Sequence, residues 1–251
     1  DPNIVDKYSY YNYAGPESAI YVCNIFNLSS NTNLLDIGGG IGGPSRKIAH
    51  VSNTSITSIE LQKDISNLFN ELNKKTKLDS LIHVINNDIF NISNNLLKKN
   101  SFDYAVSWLT ILHIPIHKRY DLFTKIFSFL KPNSKMYIED FYWISENGNF
   151  DEQQINSLKK NVSIPNGILP TKNEYLNVLY ELNCVVEFVD STPEWIEFTK
   201  NRLDVFHSNK DRHIKVYNET TYNNLDLFYS SIVDLFNSSK LGGAKIIIDI
   251  P

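Results

Sequence analysis

The sequence predicts an α/β fold, a doubly wound and mostly parallel sheet of seven strands, within one domain covering residues 1–251. Two observations carry this prediction. Short apolar strand patterns alternate with helical patterns from Asn33 to about Asp190, as parallel β-α units do. The first of these runs, Leu34-Leu35-Asp36-Ile37, passes directly into Gly38-Gly39-Gly40-Ile41-Gly42-Gly43 and then into a helical pattern beginning at Ser45. A buried strand, a bare turn and a helix in succession is how ligand-binding sheets of this class commonly begin.

Taken in order, strands are expected at residues 33–37, 55–60, 82–86, 104–107, 135–141, 184–190 and 244–250. Between them, Ile65, Leu68, Phe69 and Leu72 recur at helical spacing within 62–76, so one face of that helix packs on the sheet. A second helix is expected over 115–130 through Leu122, Phe123, Ile126 and Phe129. It stops at Lys131-Pro132-Asn133, because proline disfavours helical backbone in the residue before it. Thr171 and Glu174 form a capping box that opens a helix running toward Leu182. Two stretches exceed what the alternation needs, 142–170 after the fifth strand and 191–243 between the last two. The second should hold helices at 193–209 and 219–238. Insertions near the carboxyl ends of parallel strands are where such folds build substrate pockets.

Composition narrows the functional classes. The formal net charge is -4 and no long Lys/Arg cluster occurs, which argues against nucleic acid as a partner. No apolar run is long enough to span a bilayer, and the first residues, polar and aromatic, do not resemble a signal peptide. The two cysteines, Cys23 and Cys184, sit among apolar neighbours and read as buried thiols, consistent with a reducing, cytoplasmic location. No metal site is expected.

The glycine run fits two patterns, G-x-G-x-x-G through Gly38, Gly40 and Gly43, and D-x-G-x-G-x-G through Asp36, Gly38, Gly40 and Gly42. Asp36 separates them. A carboxylate at the strand end repels a pyrophosphate, yet it orients the loop and attracts a cationic aminoacyl group. Glu60 closes the second strand, where it is placed to accept from both hydroxyls of a ribose. Asp88 follows the third strand, placed to accept from an adenine amino group while Ile89 or its neighbour packs on the ring.

At these residues, and at Phe102-Asp103-Tyr104, Leu130-Lys131-Pro132 and Tyr137-Ile138-Glu139-Asp140, the chain resembles the class I S-adenosylmethionine-dependent methyltransferases from Leu34 to Phe141. The resemblance implies strand order 3-2-1-4-5-7-6 with the seventh strand antiparallel. It implies S-adenosylmethionine as cofactor and S-adenosylhomocysteine as product. The expected cofactor-binding residues are Asp36, Gly38, Gly39, Gly40, Gly42 and Glu60, with Leu61, Asp88, Ile89, Ser107, Trp108 and Tyr13.

Ser107-Trp108-Leu109-Thr110-Ile111-Leu112-His113-Ile114 is similar to the segment of phosphoethanolamine and sarcosine/dimethylglycine methyltransferases that carries an active-site histidine, and His113 matches that position. Leu109 stands where those relatives carry an acidic residue. Histidine titrates nearest neutral pH, so His113 is the candidate base for a small-molecule amine acceptor, which could bear a carboxylate or phosphate. Residues 1–30, with Tyr8, Tyr10, Tyr11 and Tyr13, resemble the lid of related enzymes. Tyr11, Asp140, Tyr142 and Arg202 are the expected substrate contacts, Arg202 as a clamp for an acidic group. O- or C-methylation of a small metabolite is the alternative. An NAD-dependent oxidoreductase, disfavoured by Asp36, and a noncatalytic cofactor-binding subunit are more remote.

Overall fold

The structure, a computed structural model, describes residues 15–251. Its seven strands are β1 (Asn33–Ile37), β2 (Ser55–Glu60), β3 (Ile82–Asn86), β4 (Phe102–Trp108), β5 (Leu130–Trp143), β6 (Val185–Asp190) and β7 (Leu241–Asp249). They form one sheet in the order 3-2-1-4-5-7-6, with β7 antiparallel to both β5 and β6 and the other neighbours parallel. The expected order and orientation are therefore those observed. Within this sheet β1 lies between β2 and β4, and their carboxyl ends meet at the glycine turn.

Nine α-helices accompany the strands among the described residues: α1 (Gly15–Ile25), α2 (Gly43–Ser52), α3 (Lys63–Thr76), α4 (Arg119–Phe127), α5 (Glu152–Lys160), α6 (Lys172–Glu181), α7 (Thr192–Ser208), α8 (Lys210–Tyr217) and α9 (Glu219–Asn237). Period-2 alternation along β1 feeds both faces of the sheet. Leu34 packs with Ile48 of α2 and Phe69 of α3 on one face, while Leu35 and Ile37 pack with Phe123 and Ile126 of α4 on the other. The insertions share a third core, in which Leu158 of α5, Trp195 of α7 and Ile232 of α9 close over Phe141 and Leu241. That core fixes the insertions against the ends of β5 and β7.

Three departures from expectation have identifiable reasons. The helix expected from residue 115 begins at Arg119, because Pro115 is held extended at φ -52°, ψ 139° and a 3-10 turn, Ile116–Lys118, intervenes. Strand β5 begins at Leu130 and runs through Pro132. The proline is tolerated because the β4 ladder skips from the pair Phe102 and Leu130 to the pair Tyr104 and Lys135, so no ladder amide is lost there. The second insertion holds three helices where two were expected. Helix α8 buries no residue, and it ends at Asn218, whose φ of 118° breaks the chain direction before α9.

The capping box at α6 is formed as expected. Thr171 Oγ1 accepts from the Glu174 amide at 3.2 Å, and Glu174 Oε2 accepts from the Thr171 amide at 2.8 Å. Both cysteines are buried and free. No helix among the described residues is long and apolar enough to cross a membrane, and no cluster there holds three metal-ligating side chains.

Thr171→Ala removes the Thr171 Oγ1 half of this box and should cost about 1 kcal/mol, lowering the midpoint of thermal unfolding by about 2–4 °C. A melting curve unchanged from wild type would show that α6 is held by packing alone.

Candidate active site

A cavity of about 730 Å³ opens at the carboxyl ends of β1, β2 and β4. It is within the size range of small-molecule sites. Its floor is the glycine turn. The Gly38 and Gly39 amides both donate to the Ile59 carbonyl of β2, at 2.9 and 3.2 Å, and the Gly42 amide donates to Gly39 at 2.9 Å. Two positions show why glycine is required. A Cβ at Gly42, which adopts φ 78°, would lie 1.8 Å from the Phe69 ring, and a Cβ at Gly39 would lie 1.9 Å from Ser58 Oγ. With the side chains removed, main chain forms the cavity wall.

Asp36 fastens this turn from beneath. Its Oδ2 accepts from Ser45 Oγ of α2 at 2.6 Å and from Ser58 Oγ of β2 at 2.9 Å. Burial pushes its pKa up to about 6, with Ser45 and Ser58 pulling it down and the Glu60 charge pushing it further up. Asp36 lines the cavity, and its Oδ1 is buried with no partner among the described residues. A carboxylate oxygen in that condition fits a cationic donor. Glu60 fastens the turn from the side, its Oε2 accepting from the Gly40 amide at 2.9 Å and its Oε1 from the Gln62 amide at 2.8 Å. Each oxygen keeps a lone pair for a hydroxyl donor.

Further along the cavity, Asp88 caps a short turn by accepting from the Phe90 amide at 3.0 Å, which fixes its carboxylate. Ile89 is buried beside it, and Leu61, 67 % exposed, forms the opposite lip. Trp108 closes the β4 side. Its indole Nε1 donates to Ser18 Oγ of α1 at 2.7 Å, and Ser18 Oγ donates to Glu139 Oε1, which also accepts from Tyr137 Oη at 2.8 Å. Burial raises the Glu139 pKa, against the hydrogen bonds it accepts. This dry network fixes the tryptophan wall and ties α1 to it.

His113 also lines the cavity, in the 3-10 turn Ile111–His113 that follows β4. Its Nδ1 is 3.0 Å from the Ser163 carbonyl in the first insertion. The ring opens on the cavity, but burial still pushes its pKa below the ordinary histidine value, with the Ser163 carbonyl pulling upward.

The cavity thus brings together Asp36, Gly38, Gly39, Gly40, Gly42, Glu60, Leu61, Asp88, Ile89, Trp108 and His113 of the expected site. Four expected residues are not in its wall. Ser107 is fully buried, its hydroxyl donating to the Ile37 carbonyl at 3.1 Å to tie β4 to β1. Asp140, expected to face the substrate, is fully buried and accepts from Tyr175 Oη of α6 at 3.0 Å and from the Phe141 amide. Burial raises its pKa to about 6, with the Arg119 charge and Tyr175 opposing, so it serves the packing of β5 against α6. Tyr142 packs edge-on against Phe188 of β6, under Gly242. Arg202 stacks over Phe198 and Tyr229, 4.6 and 5.8 Å from their ring centres. Tyr11 and Tyr13 lie outside the described residues.

Sequence reasoning missed Gln62 and Asn87, which lie within two residues of the ends of β2 and β3 and so obey the strand-end rule already in use. It also missed Thr110, whose hydroxyl lies 3.2 Å from the Gly38 carbonyl, and the insertion residues Asn161, Val162, Ser163 and Phe228. The last four reach the cavity only through tertiary packing and leave no local signal.

A doubly wound sheet with a glycine turn, paired carboxylates at successive strand ends and a neutral histidine in the same cavity defines a nucleoside-cofactor enzyme of the methyltransferase class. The chain belongs to the methyltransferase-domain family, whose model matches residues 28–183, and S-adenosylmethionine is the cofactor its site fits. It is 27 % identical over 223 residues to a phosphoethanolamine N-methyltransferase of Plasmodium falciparum, covering 87 % of this chain and 78 % of that protein. It is 30 % identical over 122 residues to 24-methylenesterol C-methyltransferase 2 of Arabidopsis thaliana, covering 49 % of this chain and 32 % of that protein. Phosphoethanolamine N-methyltransferase 2 of Haemonchus contortus, solved with phosphomonomethylethanolamine and S-adenosylhomocysteine, superposes with a TM-score of 0.85 at 20 % identity, over 99 % of this chain and 56 % of that one. The chain therefore spans about a third of the sterol enzyme and just over half of the nematode enzyme.

Two outcomes follow from the carboxylates. Glu60→Ala should weaken S-adenosylhomocysteine binding more than tenfold in calorimetry, since charge-assisted hydrogen bonds worth about 1.5–3 kcal/mol are lost; wild-type affinity would refute the site. Because the native Asp36 pKa lies above its unfolded value near 3.8, stability is full below that value and falls as pH rises through about 6. In the cofactor-free protein Asp36→Asn should therefore gain on wild type across this window, by up to about 3 kcal/mol, in denaturant titrations. A difference between the two proteins that does not change with pH would contradict the buried-carboxylate account.

Proposed function

We propose that the chain transfers a methyl group from S-adenosylmethionine to the nitrogen of a small-molecule amine, with His113 as the base. The observation that carries this reading is the contact between His113 Nδ1 and the Ser163 carbonyl. A carbonyl only accepts, so Nδ1 holds the proton and Nε2 of the neutral ring keeps its lone pair. The lowered pKa keeps the ring neutral at pH 7.

When bound, S-adenosylmethionine supplies an electrophilic methyl on a sulfonium. Attack on it is an in-line displacement, so the protein's part is alignment and exclusion of water. Trp108, locked by Ser18, and the fastened glycine turn hold the cofactor side rigid. His113 Nε2 takes the proton that a protonated amine must lose before its nitrogen has a lone pair to attack with. The likeness to phosphoethanolamine N-methyltransferases over most of the chain supports nitrogen as the acceptor atom. A second reading, C-methylation, is favoured by the likeness to a sterol C-methyltransferase over about half of the chain.

Methyl transfer from labelled S-adenosylmethionine over a panel of amines, phenols and alkenes tests the reading. Product on nitrogen is expected, and product on oxygen or carbon alone would overturn it. His113→Ala should lower turnover by about 10²-fold or more while leaving S-adenosylhomocysteine affinity within about twofold. The wild-type rate should rise with pH through an apparent pKa below the ordinary histidine value of 6.5, a limb that His113→Ala lacks. Unchanged turnover in that variant would make His113 a structural residue.

A further inference from the structure

Leu109 directly follows β4, and its φ is 50°. A left-handed backbone is common for Asn, Asp and Gly but an outlier for a bulky apolar residue. The conformation is enforced: the Leu109 amide donates to the Glu139 carbonyl at 2.8 Å, and the next residue, Thr110, is anchored beside Gly38. Strain retained in a cavity wall points to a role for the side chain there. Leu109 packs against the core shared by the insertions. With Ile114, Val162 and Phe228 it supplies an apolar part of the wall of the cavity that His113 also lines.

Two polar groups in that part of the wall are already engaged. Asn161 donates its amide to Ser231 Oγ of α9 at 2.8 Å and lies 3.3 Å from Ser157 Oγ, and the Ser163 carbonyl holds His113. Among the described residues this part of the wall has no Lys, Arg, Asp or Glu, and Arg202 is stacked on Phe198 and Tyr229 outside it. None of these described residues would offer a counter-charge to a phosphate or carboxylate that lost its water here.

We infer that the acceptor is an amine with an uncharged, apolar body, an alkyl or aryl group seated on Leu109, Ile114, Val162 and Phe228, and that Leu109 is a specificity-determining residue. This rests on the proposed N-methylation for the reacting atom, but the apolar wall is independent of it. Each methylene buried there should raise kcat/KM about threefold to fourfold.

The test is a series of primary amines from ethylamine to hexylamine, with benzylamine, against phosphoethanolamine and glycine, assayed for methyl transfer. In parallel, calorimetry measures the same compounds binding to the protein loaded with S-adenosylhomocysteine. Affinity and kcat/KM rising with chain length, and falling at least tenfold for the two acidic amines, are expected. A flat series, or a preference for phosphoethanolamine or glycine in binding, would overturn the inference. Rising affinity without any nitrogen methylated would leave the apolar wall supported and sink the N-methylation reading alone. Leu109→Asp places a residue better suited to the left-handed backbone. It should keep the affinity for S-adenosylhomocysteine while cutting the preference for hexylamine over ethylamine at least tenfold. An unchanged preference would remove Leu109 from the specificity wall.

Discussion

The site depends on a turn with no side chains that is held from two directions by carboxylates. Asp36 grips the serines that flank it in the fold, Ser45 at the start of α2 and Ser58 on β2, while Glu60 holds the Gly40 amide. Glycine alone would leave this turn free to sample many conformations. The hydrogen bonds select one of them, and the Phe69 ring and Ser58 hydroxyl fill the spaces that Cβ atoms would occupy. Burying Asp36 costs native stability at neutral pH. That cost is the ordinary mark of a functional carboxylate, and its Oδ1 is buried without a partner among the described residues.

The remaining walls depend on elements distant in sequence. Ser18, on the first described helix, joins Trp108 of β4 to Glu139 and Tyr137 of β5, so three segments agree on the position of one indole ring. On the acceptor side the first insertion contributes the Ser163 carbonyl, the second contributes Phe228, and their common core with Trp195 and Phe141 keeps both in register with the sheet. The glycine turn and its carboxylates are thus supplied by the regular β-α units, and Ser163 and Phe228 by the segments that exceed them. Such a division lets one methyl-donor site serve different acceptors through changes in the insertions.

Much of this was legible in the chain itself. The glycine turn, Asp36, Glu60 and Asp88 stand at strand ends that short-range patterns locate, and each falls in one cavity. Strands β1 to β3 have the expected bounds because their apolar runs are flanked by clear turn residues. What failed depended on side-chain direction or on tertiary packing. Asp140 and Tyr142 occupy the strand end where substrate contacts were expected, but their side chains turn into the packing of β5 against α6 and β6. Arg202 found aromatic partners on its own helix and on α9.

The most direct measurement is a crystal structure of the protein with S-adenosylhomocysteine. The account predicts the ribose hydroxyls on the Glu60 carboxylate, the glycine turn unmoved, and the sulfur facing the space bounded by His113 and Leu109. A ligand seated elsewhere, or a glycine turn that must unfold from Asp36 and Glu60 to admit it, would contradict the account.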